Sequence, residues 1–300
     1  GDYLLAGNSE SGIGGNKSEP NRGDGADFWI VRVDSRGDTL WTRRAGGTSG
    51  DFGYAIARAI GGGFIVAGKS GSGIVGGGSD DDTFLVRVSE SGQLIWQRNI
   101  VSGGSESASS VVALADSYIL GGSYQGSSFI LRSDTAATRI TDVKDVTHGG
   151  DVFDIVAIAP QSFVAFGFLR IDGLERAAIV RYNIRSRSSI RSDSVWTFGR
   201  QGGNRAHGGA IASDGNYLAL GFSRGFGRNE DFFLTKIDSS SGAVIWSRAF
   251  GGPANDQGNS LCVNPDGTIM MVGTTESFAD GYTGKDIMLM KVSADGELKE

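Results

Sequence analysis

Four acidic residues recur beside glycine-rich turns: Asp51, Glu106, Asp151 and Asp256. Carboxylates gathered this way can coordinate a hard cation such as Ca2+, or accept hydrogen bonds from sugar hydroxyls. Two of them facing each other across a cleft could serve a polysaccharide hydrolase or lyase as acid and base. The structural alternative is that each carboxylate accepts backbone N–H bonds in its own turn and is copied with the repeat. In the corresponding stretch of one repeat the acid gives way to Arg205 and His207, which is where the pattern acquires individuality. Phe226 and Tyr282 lie on glycine-rich loops and offer rings for stacking on a sugar or docking a partner. The candidate ligand-binding set is therefore Asp51, Glu106, Asp151, His207, Asp256, Phe226 and Tyr282.

No residue stands out as catalytic. The chain has no G-x-S-x-G elbow and no H-E-x-x-H, and its two histidines, His148 and His207, are too few for a histidine-rich metal site. Asp80-Asp81-Asp82 and the Asp280–Asp286 loop lack the EF-hand spacing and read as solvated turns. No metal site and no cofactor are expected, Ca2+ being the one cation the acidic loops bring into question. The single cysteine, Cys262 in SLCVN, rules out an internal disulfide and reads as a small buried strand residue. A net charge of −6 argues against nucleic acid as partner, and no apolar run approaches the ~18 residues of a membrane span.

What must position these residues is a repeat. DFWIVRVDSRGDTLWTRRA from Asp27, DTFLVRVSESGQLIWQRNI from Asp82 and DFFLTKIDSSSGAVIWSRAF from Asp231 are one hairpin written three times. Around it the chain cycles through four strand types. A strand of small residues (A) is followed by an apolar pentad ending in glycine (B), as in Phe64–Gly68 and Tyr217–Gly221. Next comes a strand with a basic residue (C: Arg32, Arg87, Arg132, Arg181, Lys236, Lys291), then a strand carrying Trp41, Trp96, Trp196 or Trp246 (D). The third repeat lacks the tryptophan. Forty-nine glycines against four prolines fit short strands joined by tight turns.

Four strands in about fifty residues is the grammar of a β-propeller blade. The expectation is an all-β chain forming a single β-propeller domain over 1–300, with four-stranded antiparallel blades at 1–47, 48–104, 105–150, 151–203, 204–252 and 253–300. Six blades are expected, or seven or eight if further repeats lie outside this segment. The strand C base is expected to pair with carboxylates or to pack its stem beside an aromatic.

The D-x-x-(x)-G-x-x-x-W pattern at Asp34/Gly37/Trp41 and Asp238/Gly242/Trp246 resembles the tryptophan-docking motif of quinoprotein-type (PQQ-like) propellers. The variant Ser89/Gly92/Trp96 belongs with it. The resemblance implies that each tryptophan packs against the neighbouring blade. The cofactor pocket and vicinal disulfide of those enzymes have no counterpart in this sequence, so their activity is not implied. The Gly-Gly pair followed by an acid is similar to propeller repeats of large secreted bacterial proteins. That implies an extracellular, cell-surface or periplasmic setting, although no signal peptide is visible in the segment.

The D-to-A and B-to-C loops of a propeller share one face, and here they are the long, polar ones. The expected function is a non-enzymatic binding module taking a glycan or protein through that face, as a monomeric domain of a larger chain without membrane insertion. The alternatives are a polysaccharide-acting enzyme with carboxylates at the channel mouth and a purely structural spacer.

Overall fold

The computed structural model describes residues 1–73, 81–100, 104–146, 149–186, 189–199, 202–225, 229–279 and 284–299, and of 141–146 the backbone alone. Within these residues the chain forms six antiparallel sheets in sequence order and no helix. The first sheet is β1 (Tyr3–Ser9), β2 (Asp27–Val33) and β3 (Thr39–Ala45). The second is β4 (Asp51–Arg58), β5 (Phe64–Ser70), β6 (Asp82–Val88) and β7 (Leu94–Ile100). The third is β8 (Glu106–Ala113), β9 (Ser117–Tyr124), β10 (Ser127–Asp134) and β11 (Ile140–Val146). The fourth is β12 (Gly150–Ala159), β13 (Ser162–Ile171), β14 (Leu174–Ser186) and β15 (Ser189–Phe198). The fifth is β16 (Asn204–Ile211), β17 (Tyr217–Ser223), β18 (Asp231–Ile237) and β19 (Val244–Phe250). The last holds β20 (Asp256–Val263), β21 (Ile269–Thr275) and β22 (Asp286–Val292). In the four-stranded sheets A, B, C and D lie side by side, as the repeat requires.

The chain divides into two compact units, Gly1–Thr147 with Arg185–Ser189, and His148–Ile184 with Ile190–Glu300. In the first unit, Phe28 and Ile30 of the first sheet pack on Phe64 and Val66 of the second. Ile65 and Leu85 of the second sheet then pack on Val111 and Leu120 of the third. In the second unit, Phe166 and Ile179 meet Tyr217 and Phe233, and Phe232 and Leu234 meet Ile269 and Met271. A sheet covered on both faces has no polar side to show, which is why every residue of β6 is buried.

Each A strand carries a β-bulge, and the bulge explains the glycine that ends each pentad. The extra residues are Tyr54, Ser109, Phe153, His207 and Asn259, lying between the register steps of β4, β8, β12, β16 and β20. Gly68, Gly122, Gly167, Gly221 and Gly273 lie across from the residue that precedes the bulge. A Cβ on any of them would come within 3.0 Å of an A-strand carbonyl carbon. Bulge and glycine are therefore one device.

The tryptophans dock as the motif implies. Trp41 Nε1 donates to the Glu90 carbonyl at 3.2 Å, and its ring covers Gly92, where a Cβ would lie 2.6 Å from the indole. Trp196 covers Gly242 and Trp246 covers Gly296 in the same way. These glycines have φ of +78°, +75° and +79°, so the turn also needs the left-handed region. In the third repeat Ala137 takes that place at φ +51° and is buried in the cluster against which Trp96 packs.

In three repeats the strand C base, Lys236, Arg132 or Arg87, clamps the turn between A and B. Lys236 pairs with Asp214 at 2.8 Å and Arg132 with Asp116 at 3.0 Å. Arg181 lies over the Trp196 ring at 5.5 Å. Arg87 instead donates to main-chain oxygens, those of Val88 at 2.8 Å and Ile60 at 3.1 Å, because its turn offers carbonyls rather than a carboxylate.

Cys262 is exposed, which corrects the expectation of a buried strand residue. Its equivalents Ala57 and Ala210 pack against the sheet that follows theirs.

Candidate functional site

The recurrent acids open their A strands and are tied into the turns that lead there. Asp51 and Asp256 are fully buried, and Glu106 nearly so. Asp51 Oδ2 accepts from the Gly47 amide at 2.8 Å and the Ser72 hydroxyl at 2.9 Å. Asp256 repeats this with the Gly252 amide at 2.9 Å and Ser277 at 2.6 Å, and adds the Thr275 hydroxyl. The backbone amides of the three acids donate to the carbonyls of Ala26, Asp81 and Glu230 at 2.6, 2.7 and 2.6 Å, joining each A strand to the sheet before it.

Those carbonyls precede a second set of acids, Asp27, Asp82 and Asp231, which open the C strands. The strand pairings therefore place acid beside acid at three junctions. Burial and the neighbouring Asp51 push Asp27 up, although the Arg22 amide and Arg44 oppose this. Burial and then Asp256 push Asp231 up. Burial also opposes ionisation of Asp256, but the Ser277 and Thr275 hydroxyls and the Gly252 amide outweigh it and hold that carboxyl low. In the Asp231–Asp256 pair, Asp231 is the member that keeps its proton longer.

The register separates Asp151 from this set. Counting back from the bulges, the positions equivalent to Asp51, Glu106 and Asp256 are Gly150 and Asn204. Asp151 falls one residue later, alongside Phe52, Ser107, Arg205 and Gln257. It is half-buried, as are Phe153, Arg205, His207 and Gln257, while Asn259 is exposed. Across the second unit these residues form two rows, Asp151, Arg205 and Gln257 and, two positions on, Phe153, His207 and Asn259.

Arg205 is the centre of this surface. Its guanidinium makes two 2.7 Å hydrogen bonds to Glu175, from β14, and stacks over Phe168 at 4.6 Å and Phe222 at 5.8 Å. Arg170 and Arg224 lie over the same rings at 5.7 and 5.9 Å, so cations and rings alternate through five residues. The Arg205 hydrogen bonds hold the Glu175 carboxyl below its ordinary range. His207 sits edge-on to Phe153 at 4.7 Å and Phe222 at 5.3 Å, with Nδ1 3.2 Å from the Gly258 carbonyl. Burial pushes its imidazole below the ordinary value despite that carbonyl, so it is neutral near pH 7 and its Nδ1–H donates. The site thus offers aromatic edges, a fixed guanidinium, a neutral imidazole and two carboxamides.

The hairpin that carries Arg170 and Glu175 turns at Asp172-Gly173 with φ of +51° and +76°, the backbone of a two-residue connection. Ten residues of β13 and thirteen of β14 make it longer than the seven-residue B and C strands of the second sheet, and its far end reaches Arg205. Phe226, Tyr282 and His148 lie outside the described residues. Among the described residues no group of three metal-ligating side chains comes together.

No protein-family model matches the chain, and no curated protein does either. Solved structures do. A protein from Lactobacillus plantarum is 12% identical over 99% of this chain and 81% of its own, with a TM-score of 0.55. Sqt1 from Chaetomium thermophilum is 13% identical over 99% and 68%, with a TM-score of 0.54. The β-propeller domain of Myceliophteria thermophila Cps50 (Swd1) is 12% identical over 89% and 80%, with a TM-score of 0.53. At these identities the likeness is one of fold, and with the six antiparallel sheets it makes this chain a β-propeller.

Proposed function

We propose that the chain is a non-enzymatic binding module that takes a macromolecular partner, protein or glycan, on the Arg205–His207 surface of its second unit. The observation that carries this reading is the break in the repeat. Asp51 and Asp256 spend their carboxylates on their own turns, whereas β12 and β16 replace that anchor with Gly150 and Asn204 and present a guanidinium, an imidazole and a phenyl ring alongside. Side chains held by bidentate and ring contacts lose little entropy when a partner arrives. The burial of Asp51 and Asp256 speaks against their use as catalytic acids. The style of the repeats supports a setting outside the cytoplasm.

The test is a screen of the purified chain against a glycan array and a random peptide display, followed by titration of each hit. Hits that lose at least about tenfold in affinity with Arg205→Lys or Asn259→Ala, but keep it with Asp51→Asn, support the reading. Hits that depend on Asp51 and ignore Arg205 would overturn it.

A further inference from the structure

We propose that the outer edge of β1 takes up an extended, aspartate-headed strand of a partner protein. The site lies in the first unit, apart from the Arg205–His207 surface, and goes beyond the reading above. The first sheet has strands of the B, C and D types, and among the described residues no strand pairs with the other edge of β1. An open strand edge is a template for pairing with another chain. The other five sheets of the molecule show what this edge is shaped to receive.

The glycine that ends the pentad is the first sign. In the five sheets with an A strand, a Cβ on that glycine would strike an A-strand carbonyl. β1 keeps the same glycine, Gly7 of Tyr3–Gly7, yet a Cβ there would meet nothing within 4 Å. The second sign is the amide three residues further on. Those of Gly71, Gln125, Arg170, Arg224 and Glu276 each donate to the carbonyl of the residue before their A strand, at 2.8 to 3.3 Å. Glu10 supplies the equivalent amide in the first sheet, on an exposed residue with no A strand beside it.

The third sign is a turn built to hold a carboxylate. The Ser72 amide donates to Ser70 Oγ at 3.0 Å, and the Ser277 amide to Thr275 Oγ1 at 3.1 Å. Hydroxyls arranged in this way grip the acid that heads the A strand: Ser72 donates to Asp51 at 2.9 Å, Ser277 to Asp256 at 2.6 Å and Thr275 to the same carboxylate. The Ser11 amide makes the same bond to Ser9 Oγ, at 3.2 Å, but no acid is seated there. Beside this turn is Lys17, almost fully buried. Its ammonium donates to Ser9 Oγ at 3.2 Å, to the Ser11 carbonyl and to Asn21 Oδ1, all neutral oxygens. A buried cation with neutral partners favours an anionic arrival.

The pairing of β4 with β5 gives the register of the occupant. Its aspartate stands across from Ser9 and a small residue two places on across from Gly7; after one bulged residue, another small one faces Ala6. The five A strands within residues 1–300 already serve their own sheets, so an exchange between copies of the chain would strip one sheet to fill another. A strand from a partner protein leaves every sheet intact.

The experiment adds a fluorescent peptide with the sequence of residues 47–58, which contains Asp51, to the full chain and follows anisotropy and amide chemical shifts. Saturable binding is expected, with shifts at Gly7 and Ser9 and new protection of the Glu10 amide from exchange. Asparagine in place of the peptide's aspartate should weaken binding roughly fivefold or more. Gly7→Ala should leave the melting temperature unchanged, because its Cβ meets nothing, and should abolish binding. Lys17→Met should remove the preference for aspartate over asparagine. No saturable binding, or equal binding by Gly7→Ala, overturns the proposal. So does a Glu10 amide that is protected before peptide is added, which would mean that the protein covers this edge itself. Peptide shifts centred on Arg205 and His207 would overturn it too, while leaving the binding-module reading intact.

Discussion

Gly221 stands across from the bulge of β16, and its missing Cβ leaves the space into which the Arg205 carbonyl projects; a Cβ there would lie 2.9 Å from the carbonyl carbon. The scaffold and the candidate site meet at this pair. Gly221→Ala should cost about 1 to 3 kcal/mol by overpacking, read as a lower denaturation midpoint, and should shift Arg205 and His207 resonances. A variant as stable as the parent would show that the bulge relaxes freely.

The acid pair at Asp231 and Asp256 gives opposite pH signatures. Asp231 has a folded-state value above its unfolded one, so its contribution is complete below the unfolded value and is lost as pH rises through the folded value. Asp231→Asn should therefore raise the melting temperature at pH 7, with the difference fading toward pH 3. Asp256 is held low, so its contribution is present above the unfolded value and is lost as pH falls through the folded one. Asp256→Asn should destabilise at pH 7 by about 1 to 3 kcal/mol, with less effect in acid. Melting curves of both variants at pH 3 and pH 7 decide the matter, and equal effects at the two pH values would contradict the assignment.

His207 supplies a third pH dependence. Its depressed value means that the unfolded chain takes up the proton first as pH falls below about 6.5, so the folded state loses stability there. His207→Asn should flatten the decline between pH 6.5 and pH 5, measured by denaturant titration. An unchanged slope would mean that the imidazole is not held neutral.

Trp41 and Gly92 test the docking of one sheet on the next. Gly92→Ala adds strain at φ +78° to a clash with the indole, and about 2 to 4 kcal/mol of destabilisation is expected. Trp41→Phe keeps the packing but loses the bond to Glu90, and should cost roughly 0.5 to 1.5 kcal/mol. Tryptophan fluorescence during unfolding reads the first variant directly.

The strands, their order and the tryptophan docking were legible because each repeats a pattern of glycine, apolar residue and turn. The site was less so. Asp151 looks equivalent to Asp51 when an acid following the glycine pair is the guide, but the bulge sets the register, and bulge residues as unlike as Tyr54, Ser109 and His207 leave no compositional trace. The Arg205–Glu175 pair joins β16 to β14 across thirty residues, beyond any local period. One clue was available in the sequence: the tryptophan is followed two residues later by Arg43, Arg98 and Arg248, but by Phe198 in the fourth repeat. Comparing repeats with one another, rather than with outside motifs, would have pointed to the junction that differs.

The most direct measurement is the equilibrium affinity of the best screened partner for three forms of the chain: unaltered, Arg205→Lys and Asp51→Asn. The account predicts a loss of at least about tenfold for Arg205→Lys, where the bidentate bond and the ring stack go together, and an unchanged affinity for Asp51→Asn. Equal affinity for the unaltered chain and Arg205→Lys, with a loss for Asp51→Asn, would move the binding surface back to the repeated acids and contradict the account.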